Sequence, residues 1–171
     1  MPAQPFPIRP FMPADTMALR DLFAQSIEEL TADDYTEDQR LAWISRAEDA
    51  EAFADRLSKM VTLIVQVEGE YLGFAALKDN SVLDLLYVHP YAVGQGVGTT
   101  LVDALERLAA ARGAKAITVE ASDTAQPFFS ARGYVPGKRN LLPLGAEWLP
   151  NTTMTKKLAD NDNAASDGGE A

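Results

Sequence analysis

Cysteine is absent from this chain of 171 residues, which excludes disulfides, a thiolate nucleophile and cysteine-bound metal. Histidine occurs once, at His89. Histidine is a residue type suited to general-base work, but this one stands before Pro90 at a strand end and reads as a loop position. No apolar run is long enough to span a membrane, and the first residues lack a basic stretch followed by an apolar one. A cytoplasmic protein without a membrane partner is therefore expected. Basic clusters are scarce too: 15 Lys and Arg stand against 25 Asp and Glu, a formal charge of −10. Nucleic acid is excluded as a partner, because binding it takes clustered cations that displace counterions.

What is present suits one globular domain with a full core, 47 % hydrophobic and 23 % charged. Acid concentrates between Glu28 and Asp55, and again after Leu158, where Asp160, Asp162, Asp167 and Glu170 have no basic neighbour. An acidic surface is compatible with a cationic or amine substrate. Most of these carboxylates read as solvated faces that aid solubility.

The densest local signal runs from Val88 to Leu101. An apolar strand, Val82 to Val88, passes through Gly94, Gly96 and Gly98 into a helical pattern carried by Val97, Leu101, Leu105 and Leu108. The glycines therefore sit on a strand-to-helix turn whose first amides lack intrahelical partners, a site for phosphate or pyrophosphate. A Walker loop requires a lysine that Thr99 and Thr100 do not supply, and the dinucleotide fingerprint has a different glycine spacing. A turn without a ligand is the remaining alternative at this point.

Taken in order, Ile8 to Phe11 reads as a short edge strand. Asp15 is placed to cap a helix burying Leu19, Leu22, Phe23, Ile27 and Leu30. Thr36 to Gln39 has capping-box spacing and starts a helix with Leu41, Trp43 and Ile44, and a third helix covers about Asp49 to Ser58. Met60 to Val67, Tyr71 to Leu77 and Val82 to Val88 read as three antiparallel neighbours. The glycine-led helix ends at Arg112 and Gly113. Ala116 to Glu120 follows as a strand parallel to the one before that helix. Ser122 to Thr124 leads a short helix to Arg132, and Tyr134 to Leu142 with Glu147 to Leu158 form a last antiparallel pair. The reading divides the chain into an N-terminal extension (1–5), one domain (6–158) and a disordered acidic tail (159–171).

From Phe6 to Leu158 this order of elements resembles the GNAT N-acetyltransferase superfamily. The most specific stretches are Leu86-Tyr87-Val88-His89-Pro90 through Gly94-Gln95-Gly96-Val97-Gly98-Thr99-Thr100-Leu101, and Val119-Glu120-Ala121-Ser122 through Ala125-Gln126-Pro127-Phe128-Phe129 to Tyr134. The resemblance implies an α/β fold with a mixed, mostly antiparallel sheet that splays between its fourth and fifth strands and is flanked by helices. Acetyl-CoA would lie in that opening, its pantetheine arm along Leu86, Tyr87 and Val88. Its pyrophosphate would take amides from Val93, Gly94, Gln95, Gly96, Val97, Gly98 and Thr99. Ser122 stands where the family often has an asparagine that holds the pantetheine end, and Ala125, Phe128 and Phe129 would flank the cofactor. Val93 departs from the family's usual Arg or Gln. Phe129 replaces the tyrosine that protonates departing CoA, and a phenyl ring cannot donate a proton.

The chemistry so implied is direct attack by a primary amine on the thioester, without a metal. An ammonium near pKa 10 must first lose a proton, which calls for a carboxylate acting directly or through water. Glu120 and Asp84, one on each strand of the opening, are the candidates. Alternation puts Asp84 with Leu86 and Val88 on one face, and Leu83 with Leu85 and Tyr87 on the other. Tyr87 is the substitute donor for Phe129. Asp34, Tyr35 and Trp43 belong to the helix connection that closes over the acceptor in this superfamily, where they would select a cationic amine. The expectation is an acetyl-CoA-dependent N-acetyltransferase acting on a small-molecule or peptide amine. Its alternative is a non-catalytic acyl-CoA sensor of the same fold; a homodimer is admitted but not required.

Overall fold

The computed structural model describes residues 6–159, so the expected extension at 1–5 and all of the tail beyond Ala159 lie outside the described residues. Seven strands form one sheet in the order β1-β2-β3-β4-β5-β7-β6. They are β1 (Ile8–Pro10), β2 (Val61–Val67), β3 (Glu70–Lys78), β4 (Val82–Val88), β5 (Ala116–Ser122), β6 (Val135–Leu144) and β7 (Glu147–Lys157). Every pairing is antiparallel except β4 with β5. The helices are α1 (Thr16–Leu30), α2 (Glu37–Ile44), α3 (Ala50–Ser58), α4 (Val97–Ala111) and α5 (Gln126–Ala131).

Alternation along the central strands builds a core on each face of the sheet. Ile64, Phe74, Ala76 and Leu85 face α1 and α3, where Leu19, Leu22, Phe23, Ile27, Phe53 and Leu57 bury their side chains. Val65, Ala75, Leu77 and Leu83 face α4, whose Val97, Leu101, Val102, Leu105 and Ala109 form the stripe expected from their spacing. Gly73 sets how closely α4 sits on the sheet. A Cβ there would lie 2.7 Å from Val97 Cγ1 and 3.1 Å from the Tyr87 carbonyl. Leu41, by contrast, is exposed on α2 rather than part of either core.

Two local expectations fail, each for a definable reason. Asp15 does not cap α1: its backbone is already helical at the end of a 3₁₀ turn (Pro13–Asp15), and no first-turn amide bonds its side chain. The carboxylate instead receives both terminal nitrogens of Arg9 (2.9 and 2.7 Å), the Tyr71 hydroxyl (2.7 Å) and the Met12 amide (2.8 Å). These donors, Arg9 foremost, hold its pKa well below the usual carboxylate range. The simple alternation of β4 fails as well. The ladder to β3 steps from Leu77↔Leu83 to Ala76↔Leu85, leaving Asp84 as an extra residue. This bulge resets the period, so Leu83 shares a face with Leu86 and Val88, while Leu85 and Tyr87 turn to the α1 side.

The bulge also marks where the sheet opens. β4 and β5 pair only at Val82↔Thr118 and Leu83↔Val119. Past that point β5 is carried by β7 through Ser122↔Asn151, and β4 by β3 through Val88↔Gly73. The β5-facing edge of β4 from Asp84 to Val88 is left without a strand partner.

Candidate active site

Two cavities meet in this opening. One, of about 240 Å³, runs between β4 and β5 and is lined by Leu86, Val88, Gly98, Ala125, Phe128 and Phe129 among others. The second, of about 420 Å³, lies on the side of α2, α3 and the β6–β7 hairpin. Trp43, Leu83, Asp84, Tyr87, Glu120 and Ser122 line both cavities, so chemistry between two bound molecules would occur among these six.

The glycine loop lies beside the narrower cavity. Gly94 (φ 80°) and Gly96 (φ 95°) adopt left-handed backbone, and a Cβ on either would meet open space. Helix α4 begins with the Thr100 amide bonding the Gly96 carbonyl at 3.0 Å. Among the described residues the amides of Val93, Gly94, Gly96, Val97, Gly98 and Thr99 have no protein acceptor. Gln95 differs from expectation, since its amide is spent on the Ala92 carbonyl. An anion at the positive end of a 15-residue helix would satisfy the free amides. Gly98 is where α4 meets α5, a Cβ there reaching the Phe128 ring at 3.4 Å. Phe129 is buried edge-on against Phe128 and Tyr134.

The polar groups at the junction differ in how far they are committed. Asp84 Oδ2 accepts from Arg56 Nη2 at 2.7 Å and Nε at 3.2 Å. Ser122 Oγ accepts the Ala125 amide at 3.0 Å, shaping the turn into α5. Glu120 is exposed, and no hydrogen bond or ion pair joins it to another described residue. The Tyr87 ring is packed by Phe23, Trp43 and Phe74, and its hydroxyl accepts from Trp43 Nε1 at 3.1 Å. Burial pushes this phenol up to about 12, against the pull of the Trp43 N–H and of Arg46 and Arg56. Tyr87 therefore keeps its proton, which has no acceptor among the described residues.

The α1–α2 connection crosses the opening as a strap. The Tyr35 hydroxyl donates to the Pro150 carbonyl at 2.6 Å and accepts the Asp123 amide at 3.0 Å, and its ring packs on Trp43. Tyr35 and Trp43 both line the wider cavity. Asp34 lines neither cavity. Its carboxylate accepts from Thr124 Oγ1 at 2.6 Å, which helps fasten the strap.

The acetyltransferase (GNAT) domain family matches residues 31–158, from the strap to the end of β7. The chain belongs to the GNAT family. It is 52 % identical to a GCN5-related N-acetyltransferase from Rhodopseudomonas palustris, a solved structure also described as an aminotransferase, class II. The match covers 92 % of this chain and 99 % of that one, with a TM-score of 0.90. It is 25 % identical over 150 residues to the uncharacterized N-acetyltransferase YafP of Escherichia coli K12, covering 88 % of this chain and 95 % of YafP. The PaiA N-acetyltransferase of Thermoplasma acidophilum, solved with coenzyme A, shares the fold at a TM-score of 0.76 and 19 % identity. That match covers 90 % of this chain and 99 % of PaiA.

In this GNAT chain, His89 faces away from the junction. It stacks on Tyr91, accepts the Tyr91 amide through Nδ1, and lines a separate groove with Tyr71 and Leu72. Sequence reasoning missed the far wall of the wider cavity: Arg46, Arg56 and Lys78, with Leu142, Leu144 and Leu149. The alternation of Leu142 and Leu144 on β6 was the one available signal. Among the described residues, no helix is long and apolar enough to cross a membrane.

Proposed function

We propose that this GNAT acetyltransferase takes acetyl-CoA in the narrower cavity and a primary amine in the wider one, with Glu120 and Tyr87 acting where the two meet. The carrying observation is that both residues line both cavities, one as an unpaired carboxylate and the other as a phenol with an uncommitted proton. The donor's chemical contribution is an acetyl group activated as a thioester.

The fit to that donor rests on the chain's own groups. The free amides from Val93 to Thr99, apart from Gln95, bind its pyrophosphate. The open edge of β4 at Leu86, Tyr87 and Val88 offers backbone groups to the pantetheine amides, and Ser122 offers its hydroxyl proton. Ala125, Phe128 and Phe129 supply the apolar wall. The off-pattern Val93 leaves these amides in place.

Glu120 draws the proton from the acceptor ammonium, directly or through one water, so that the nitrogen lone pair is free to attack. Tyr87 holds its proton on the phenol oxygen and offers it to the leaving sulfur. A phenol near 12 does not surrender its proton to a thiolate near 8.5, so Tyr87 stabilises the sulfur as a hydrogen-bond donor, and water completes the protonation. Asp84 stays with Arg56 and orients it. Tyr35 and Trp43 wall the acceptor, while Asp34 acts through the strap.

The domain comprises residues 6–158 and works in the cytoplasm, where a CoA donor is available. Calorimetry with acetyl-CoA, followed by free-thiol release across an amine panel, tests the reading. Binding with thiol release for at least one amine is expected. Absence of binding, or binding without release for any amine, defeats it.

A further inference from the structure

The far wall of the wider cavity has a charge pattern of its own. The chain is acidic overall, yet this wall brings together Arg46, Arg56 and Lys78, none of which lines the narrower cavity. The cavity's carboxylates are Asp79, Asp84 and Glu120. Asp79 follows Lys78 directly in the β3–β4 turn, and Asp84 is taken by Arg56 through Nε and Nη2, leaving Arg56 Nη1 unbound. Arg46, on the turn after α2, has no hydrogen bond or ion pair with any described residue. The uncommitted charges are thus Lys78 and Asp79, adjacent and exposed at the β3–β4 end, the Arg46 guanidinium on the α2–α3 side and the Glu120 carboxylate at the junction. Arg46 and Arg56 both lie close enough to Tyr87 to oppose the rise of its pKa, which puts positive potential beside the reacting centre. Leu142, Leu144 and Leu149 add an apolar lining to the same cavity.

We propose that the acceptor is a small apolar amino acid, whose amine meets Glu120 while its carboxylate is held by Arg46 with Arg56 as second donor. A guanidinium matches a carboxylate with two parallel N–H groups, and repels a polyamine. The backbone amine of a peptide N-terminus has no free carboxylate beside it, so such acceptors leave Arg46 unused. The transfer forms a bond from the amine nitrogen to the acetyl carbon and breaks the bond from that carbon to sulfur. Of the two protons lost by the ammonium, one leaves through Glu120 to solvent and the other ends on the thiol. The inference rests on the transferase reading above.

The test uses leucine and phenylalanine, each beside its amide and its decarboxylated amine, with spermidine and a leucine-initiated tripeptide. Thiol release is followed with acetyl-CoA, and leucine binding to the CoA-loaded enzyme by calorimetry. The expected kcat/KM for leucine exceeds those for leucinamide and isoamylamine by about ten- to a hundredfold, the range of one charge-assisted hydrogen bond. Arg46→Ala collapses that ratio toward one, chiefly through KM and with a matching loss of leucine binding, and Arg46→Lys restores part of it. Equal rates for leucine and isoamylamine, or a preference for spermidine or the tripeptide, overturn the inference while the transferase stands. Acetyl-CoA binding without thiol release from any amine overturns the transferase reading and the inference with it.

Discussion

The two cavities are built by opposite means. Apart from the six residues the cavities share, the narrower is made mainly of backbone and hydrocarbon: unpaired amides beside it at the start of α4, the free edge of β4, and the rings of Phe128 and Phe129. The wider is made of side chains from distant segments, with Arg46, Arg56, Glu120 and Leu149 converging on one space. Backbone donors depend on conformation more than on side-chain identity, so one wall can keep the same ligand while its sequence drifts. A wall of charged side chains changes specificity with each substitution. Under the proposed function the first cavity takes the acetyl donor and the second the acceptor.

The largest expected effect breaks the backbone-built side alone. Gly96→Val puts a branched side chain at φ 95°, where a β-branched residue is strained by about 1–3 kcal/mol, and forces the loop to re-form. Nothing lies within 4 Å of the added Cβ, so the core stays intact. Acetyl-CoA affinity should fall more than about a hundredfold by calorimetry, as the anion cradle is lost. An affinity within threefold of the parent would show that the amides are not the binding site. Next in size is Glu120→Gln, at the junction of the cavities. It should lower kcat/KM about a hundredfold while leaving the acetyl-CoA dissociation constant in place. An unchanged rate would assign proton removal to water.

The same contrast explains what could be read from the chain. The glycine loop, the stripe of α4 and the order of strands follow from local spacing, so they are legible in a single sequence. The sheet opening came from resemblance, and in the structure it begins at the bulge at Asp84. That bulge was not legible, because a period-two reading has no means of placing an extra residue. Asp15 misled for a related reason: a residue suited to capping was claimed by Arg9 and Tyr71, the latter 56 positions away. Arg46, Arg56 and the hairpin leucines carry no local motif, since only the fold brings α2 against β7 and gathers residues of α3 and β6 around the same cavity.

A smaller effect is expected from Tyr87→Phe, which keeps the ring packing and removes the hydroxyl that Trp43 bonds. The rate constant kcat should fall about tenfold, as for the loss of one hydrogen bond made in the transition state. A second readout is stability at high pH. Burial raises the Tyr87 pKa from 10 to about 12, so the folded form binds this proton more tightly than the unfolded one. The associated stability is complete below pH 10 and is lost as pH climbs toward 12. The variant should lose less stability over that window than the parent, and equal losses would show that the phenol is not held protonated by the fold.

The smallest effect sharpens the comparison most, because it touches both walls at once. Tyr35 bonds Asp123 at the start of the α5 turn and Pro150 on β7, while its ring leans on Trp43, which borders both cavities. Tyr35→Phe keeps the ring but strands the Pro150 carbonyl and the Asp123 amide, a loss of about 1–2 kcal/mol. At this chain length that lowers Tm by roughly 2–8 °C. If the strap only stabilises, the two substrates' KM values stay put while Tm falls. If it sets the width of the opening, the KM for acetyl-CoA and that for the amine rise together, by a few fold. A rise in the acceptor's KM alone would place Tyr35 in the side-chain-built cavity and leave the backbone-built one independent of it.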